Sequence, residues 1–78
     1  GGDNRVTKEQ ARARVNPAVN VKSQRLALIE SKDDGRDVLC WEITGTYEDS
    51  TYTVYINALT GDEEDIIKMD TGAEGEAG

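Results

Sequence analysis

The side chains that most often carry out chemistry are scarce in this sequence. There is no histidine among its 78 residues and only one cysteine, Cys40. Histidine is the commonest general base and neutral metal ligand, and zinc sites need clusters of cysteine and histidine. Cys40 stands within a run of strand-forming residues without a histidine to activate it, so we expect a small packed residue and not a nucleophile. The serines also lack the partners of a catalytic triad. The sequence therefore predicts no catalytic residue, no metal site and no cofactor.

Two further patterns resemble ligand sites but have simpler explanations. The run Asp62-Glu63-Glu64-Asp65 offers carboxylates for calcium, yet successive side chains of a strand point to opposite faces and do not converge on one ion. We expect a solvated acidic strand edge, and a weak ion site is the alternative. A phosphate-binding loop leads from a strand into a helix. The glycines at 72, 75 and 78 follow an acidic segment instead, so they do not match such a loop.

Charge is divided unevenly along the chain. Residues 1–36 carry eight Lys and Arg against five Asp and Glu, while residues 37–78 carry one lysine against eleven acids. The formal net charge of −7 repels nucleic acid and would attract a basic protein surface, but acids that keep a small domain soluble are the simpler explanation. No run of about 18 apolar residues is present, so we expect no membrane span. Because the chain opens with Gly1-Gly2 and without methionine, we interpret it as a piece of a longer protein.

The spacing of apolar residues predicts one helix followed by strands. Thr7 and Gln10 have the spacing of a capping box, and Asn16-Pro17 should end the helix, which predicts a helix over residues 8–15. From Val19 onward the apolar residues alternate, as is typical of strands. Strands are expected over residues 19–29, 37–44, 51–57 and 63–69. The turns between them should lie at Asp34-Gly35, at 45–50 and at 57–61.

These elements predict an α+β domain in which one short N-terminal helix packs on a three- to four-stranded antiparallel meander sheet. The domain should cover residues 6–69, between a disordered lead-in at 1–5 and a disordered acidic tail at 70–78. Trp41 alternates in phase with its apolar neighbours, so we expect it in the core, and an anchor for a partner is the alternative. The side chains expected under the helix are Leu39, Trp41, Ile43, Tyr52, Val54 and Ile56.

The sheet face that the helix leaves uncovered is the best candidate for a contact with another protein. Tyr55 points to that face, away from Val54 and Ile56, and Tyr47 is expected in an exposed turn. We therefore predict a partner surface made of Tyr55, Thr53, Thr51 and Tyr47. A neighbouring domain of a longer protein could equally cover this face.

The segment over residues 52–61, Tyr-Thr-Val-Tyr-Ile-Asn-Ala-Leu-Thr-Gly, resembles the C-terminal signature of the PepSY family. That signature is an aromatic-rich strand followed by an Asp/Asn-Ala-x-Thr-Gly turn, and Asn57 stands where many members have Asp. The opening run at residues 6–11 resembles the family's helix start, so the resemblance covers residues 6–69. The runs at 23–29, 38–42, 55–58 and 61–66 are most similar to the last PepSY repeat of spore germination proteins.

The resemblance implies a non-catalytic module that binds a protein partner, a spore cortex-lytic enzyme or a peptidase, and stabilises or restrains it. It also implies a membrane-anchored parent protein outside the cytoplasm, on the inner-membrane or cortex side of the spore. The alternatives are a propeptide-type peptidase inhibitor domain and a structural spacer repeat without its own partner. We expect the domain itself to be monomeric, and the family offers no catalytic residue to carry over.

Overall fold

The computed structural model describes residues 5–69. The elements are α1 (Lys8–Arg12), β1 (Asn20–Glu30), β2 (Asp37–Tyr47), β3 (Ser50–Asn57) and β4 (Glu63–Met69). The strands form one antiparallel sheet in the order β1-β2-β3-β4, so the predicted meander is confirmed with four strands. Within residues 5–69 no helix is long and apolar enough to cross a membrane. The predicted lead-in, apart from Arg5, and the predicted tail lie outside the described residues.

The helix begins where the sequence predicts but ends earlier. Thr7 Oγ1 accepts the backbone N–H of Gln10 at 3.0 Å, and Gln10 Oε1 accepts the N–H of Thr7 at 2.8 Å. These two bonds complete the capping box. The predicted end at residue 15 was wrong, because the α-helix stops at Arg12. Arg14 and Val15 donate instead to carbonyls three residues back, in a tighter turn.

Arg12 accounts for this early end by shaping the connection from α1 to β1. Its guanidinium donates at 2.9 to 3.3 Å to four carbonyl oxygens of that connection, those of Val15, Asn16, Pro17 and Val19. Because these carbonyls bond to a side chain, the chain can leave the helix without losing their hydrogen bonds. The connection turns toward β1 and keeps Val15 buried.

Val6 joins the start of the helix to the sheet. Its N–H donates to the Ala58 carbonyl at 2.6 Å, and its carbonyl accepts the indole N–H of Trp41 at 2.8 Å. The N–H of Ala58 donates in turn to the Leu39 carbonyl on β2 at 2.9 Å. Since a helix of five residues is unstable in isolation, these bonds and the apolar contacts beside them are needed to hold it in place.

The core is a thin layer between the helix and the middle of the sheet. The buried cluster consists of Ala11, Val15, Ile43, Val54 and Ile56, and Val6, Val19, Val21 and Trp41 pack against it. Three of the six side chains expected under the helix are therefore buried, and Leu39, Trp41 and Tyr52 are half-buried. Leu28, which pairs with Leu39 beyond the helix, is 66% exposed. The helix thus covers only the centre of the sheet face on which it packs.

Gly45 belongs to a strand and not to the predicted turn. β2 runs on to Tyr47, and a turn of two residues at Glu48 and Asp49 leads into β3. The predicted turn is thus present at its expected tip but is shorter than residues 45–50, because Gly45 permits a close approach between strands and not a reversal. A Cβ at Gly45 would lie 2.7 Å from both the Asn20 carbonyl oxygen and Val19 Cγ1.

The other two predicted turns are confirmed. Gly35 and Gly61 have φ of +74° and +83°, in the left-handed region that glycine adopts without strain. Asn57 Oδ1 accepts the N–H groups of Leu59 and Thr60 at 2.7 and 3.0 Å, which closes the turn between β3 and β4.

Replacing Gly45 by alanine should destabilise the domain by about 2 kcal/mol, because the added methyl group overlaps the backbone of β1. Urea unfolding followed by circular dichroism measures this loss. Gly35→Ala is the matched control: it introduces only left-handed strain, of about 1 kcal/mol. A Gly45→Ala variant as stable as the wild type would show that β1 does not approach β2 this closely.

Candidate partner surfaces

The structure divides the four predicted partner residues between two faces of the sheet. β2 and β3 pair in continuous register, so Thr51, Thr53 and Tyr55 lie on the face opposite the helix, which we call the open face. Tyr47 alternates in phase with Ile43 and lies on the helix side. The four residues therefore do not form one continuous surface.

Glu42 is the centre of a hydrogen-bonded network on the open face. The Tyr55 hydroxyl donates to Glu42 Oε2 at 2.8 Å, and Arg25 Nε donates to Glu42 Oε1. The Arg25 guanidinium, followed by the Tyr55 hydroxyl, holds the pKa of the Glu42 carboxyl below its usual range. The bond to Glu42 likewise raises the pKa of the Tyr55 hydroxyl. Tyr55 is half-buried, and its polar group is already engaged within the domain.

Two threonines of the open face, Thr44 and Thr53, are also hydrogen-bonded within the domain. The hydroxyl oxygens of Thr44 and Thr53 lie 3.0 Å apart, and Thr53 Oγ1 donates to Met69 Sδ at 3.7 Å. Thr53 is only 8% exposed, and Thr51 is half-buried. The open face therefore presents less free hydrogen-bonding capacity than its sequence indicates.

Cys40 lies on the open face between Ala27 and Asn57 of the neighbouring strands and is completely buried. Burial, and then the nearby carboxylate of Glu64, raise the pKa of the Cys40 thiol to about 11. Since the thiolate is the nucleophilic form, both the burial and the raised pKa disfavour reaction of this thiol in the folded domain.

The acids at the start of β4 have separate structural roles. Asp65 pairs with Lys32 at 3.0 Å, and this ion pair lowers the pKa of the Asp65 carboxyl. Because β1 and β4 are opposite edges of the sheet, the turn after β1 reaches across the open face. Glu64 accepts the side-chain N–H of Asn57 at 3.0 Å. In the described part of the chain, no three acids, cysteines or histidines cluster so that they could hold a metal ion.

A groove on the helix side is a second candidate surface, and the sequence did not indicate it. We call it the helix-side groove. It encloses about 220 Å³ between the α1–β1 connection and the strands β2 to β4, and Tyr47 is one of its lining residues. Ile66 on β4 is 51% exposed, so the groove is open to solvent. Its other apolar walls are Val15, Val19, Ile43, Tyr52 and Val54. Its wall on the helix side is the connection from α1 to β1, whose path the sequence could not show.

Arg14 and Glu63 are the charged residues that line the helix-side groove. Among residues 5–69 the Arg14 side chain makes no hydrogen bond or ion pair, in contrast to Arg25 and Arg12. The Tyr47 and Tyr52 hydroxyls also bond to no other described residue. The groove thus combines apolar walls with polar groups that remain available.

Replacing Glu42 by glutamine should destabilise the domain by about 1 kcal/mol at pH 7, because the charge-assisted bonds from Arg25 and Tyr55 are weakened. A carboxyl whose folded-state pKa is lowered adds stability above its unfolded value of about 4.3 and loses it as the pH falls through the folded value. The difference between wild type and variant should therefore shrink between about pH 5 and pH 3. Urea unfolding across this range measures it.

Glu30→Gln is the control for Glu42→Gln, because Glu30 is an exposed β1 carboxylate without an ion pair in residues 5–69. It should change stability by less than about 0.5 kcal/mol at each pH. A Glu42→Gln deficit that stays constant with pH would contradict the network.

The Cys40 thiol should react with iodoacetamide at least about 100-fold more slowly in the folded domain than in urea, because alkylation requires local opening of the sheet. Mass spectrometry of timed samples at pH 8 gives both rates. Labelling at equal rates would show that the thiol is accessible, and would reopen a role for it in catalysis.

Comparison with known proteins relates the whole domain to one family. The sequence matches the PepSY family, described as "Peptidase propeptide and YPEB domain", over residues 5–67. It is 45% identical over 64 residues to the sporulation protein YpeB of Halalkalibacterium halodurans and 42% identical over 64 residues to that of Bacillus subtilis. Each alignment covers 82% of this chain and 14% of the relative. The chain therefore spans about a seventh of the length of these relatives.

The fold agrees with the sequence relationship. The solved structure of the C-terminal domain of Bacillus megaterium YpeB superposes with a TM-score of 0.78 at 40% identity, covering 88% of this chain and 30% of that one. The resemblance carried by residues 52–61 and by the helix start is thus confirmed. This chain belongs to the PepSY family.

Proposed function

We propose that this chain is a non-catalytic interaction module of a germination protein, which binds a spore cortex-lytic enzyme and stabilises or restrains it. The observation that carries the proposal is the family match over residues 5–67, together with relatives at 36–45% identity that are named sporulation proteins. The family description also names peptidase propeptides.

The chemistry of the open face favours a structural role for its polar groups over a catalytic one. A general base or nucleophile must reach its substrate in the right protonation state. Cys40 is buried with a raised pKa, and Glu42 and Tyr55 are bonded to each other. These groups therefore stabilise the sheet and are not available to a substrate.

The charge distribution supports a protein partner with a basic surface. Residues 37–78 hold eleven acids against one lysine, and such a field accelerates encounter with a positively charged partner. In this proposal the domain is a monomer within a membrane-anchored parent, outside the cytoplasm and on the cortex side of the spore inner membrane.

A peptidase propeptide inhibitor is the second candidate, because the family description includes that class. The two functions differ in the enzyme that responds. A restraint on a cortex-lytic enzyme lowers its hydrolysis of spore peptidoglycan, whereas an inhibitor lowers the activity of a peptidase. A spacer repeat changes neither activity and binds neither enzyme.

Titration of a purified cortex-lytic enzyme with the full 78-residue chain tests the proposal. We expect saturable binding with a Kd of the order of micromolar, which corresponds to about −8 kcal/mol. The affinity should fall when salt is raised from 50 to about 500 mM, because surface charges are then screened. The thermal midpoint of the enzyme should rise, or its turnover should fall, in proportion to the occupied fraction.

A parallel titration of a metallopeptidase separates the two candidate functions. Binding to the peptidase alone would replace the proposed function by the inhibitor. If neither this chain nor a longer relative with the same domain binds either enzyme, the proposal is wrong and the domain is a structural spacer.

A further inference from the structure

We propose that the helix-side groove is a docking site for an aromatic side chain of the partner that is flanked by an acidic residue. The inference rests on the proposed function, because it names the contact through which a protein partner is recognised. It is carried by three properties of the groove: its volume, its aromatic and aliphatic walls, and the unpaired guanidinium of Arg14 at its lining.

The volume and walls select an aromatic ring. The groove encloses about 220 Å³, whereas an apolar cavity of about 150 Å³ already binds benzene. Tyr47 and Tyr52 line it on the strand side, and aromatic rings pack favourably against one another in offset or edge-to-face geometry. Tyrosine side chains are typical of binding hot spots, and Ile66 and Val15 supply aliphatic contact.

The partner surface is basic overall in the proposed function, and the unpaired guanidinium of Arg14 at the groove selects one acidic residue beside that ring. Arg14 presents five N–H donors, and none of them is used within the described residues. A carboxylate is the group that a guanidinium binds best, through two parallel hydrogen bonds. Arg12 and Arg25 are occupied, the first by backbone carbonyls and the second by Glu42. Arg14 is therefore the group at the groove with free capacity for an anion.

Gly61 gives Arg14 the space it occupies. A Cβ at Gly61 would lie 2.9 Å from Arg14 Nη2 and 3.1 Å from Nε, so a side chain there would displace the guanidinium. The β3–β4 turn, which carries the family signature, thereby places the arginine beside the groove. Glu63, also at the lining, should oppose an acidic partner residue and weaken its binding.

Three capped dipeptides test the groove directly: N-acetyl-Asp-Trp-amide, N-acetyl-Ala-Trp-amide and N-acetyl-Lys-Trp-amide. Each is titrated into the isotopically labelled 78-residue chain, and amide shifts are followed by NMR. We expect saturable shifts at Val15, Val54 and Ile66, with affinity falling in the order Asp, Ala, Lys. No shift at these residues, or equal affinity for all three peptides, would overturn the proposal.

Two charge variants of the groove give opposite expected effects. Arg14→Gln should weaken binding of the Asp peptide about threefold and leave the Ala peptide within about 1.5-fold, as expected for a partly solvated ion pair. Glu63→Gln should strengthen binding of the Asp peptide. Arg36→Gln, in the turn after β1, is the matched control and should change neither. An Arg14→Gln variant that binds the Asp peptide like the wild type would remove the carboxylate from the proposal.

Other occupants of the groove have distinct signatures in the same spectra. Groove signals that move with protein concentration in the absence of peptide would assign it to a second copy. Signals that move when residues 70–78 are removed would assign it to the chain's own tail. Either result overturns docking of a partner side chain.

The enzyme titration then separates this inference from the function on which it rests. If the wild-type chain binds the cortex-lytic enzyme and Arg14→Gln weakens that binding, both stand. If Arg14→Gln binds the enzyme unchanged, the proposed function stands and the groove is not its contact. If the peptides bind but the enzyme does not, the groove stands as a peptide site and the enzyme is the wrong partner.

Discussion

A short helix has to cover a much larger sheet, and this mismatch determines most of what the molecule exposes. Five residues in α1 span about 7.5 Å, whereas the eleven residues of β2 span roughly 36 Å. Only the centre of the helix-side face can therefore be buried, and the apolar residues on each side remain partly in water. Leu28 lies beyond one end of the covered area, and Ile66 lies beside the groove.

The position of the helix depends on hydrogen bonds as much as on apolar contact. Val6 bonds to Ala58 and to the Trp41 indole, so the N-terminal segment, β2 and the β3–β4 turn meet at one residue. Gln24 adds a bond from β1 to the Lys8 carbonyl at 3.1 Å. Directional bonds of this kind fix where a small element sits, whereas apolar contact alone would tolerate sliding. The connection that lines the groove leaves from the end of this anchored helix.

Much of the fold was readable from local sequence, because the responsible interactions join residues close in the chain. The capping box of Thr7 and Gln10, the Asn57 turn and the alternation in β2 and β3 are of this type. The features that were missed depend on residues far apart in sequence. Gly45 was predicted in a turn, but it lies in β2 against the Asn20 carbonyl of β1. Arg12 was predicted inside a longer helix, but it ends the helix and bonds to the Val19 carbonyl. The candidate site was predicted least well for the same reason: Tyr47 and Tyr55 belong to different faces, and the groove has no linear signature.

The bond between the indole N–H of Trp41 and the Val6 carbonyl has a practical consequence. Trp41 is the only tryptophan in the chain, so fluorescence excited at its absorption edge reports on one location. That location is the seam between the N-terminal segment and the sheet. Departure of the helix would transfer the indole from a carbonyl acceptor to water and shift its emission, even while the strands remain paired. The native chain thus contains an optical probe that distinguishes release of its helix from melting of its sheet.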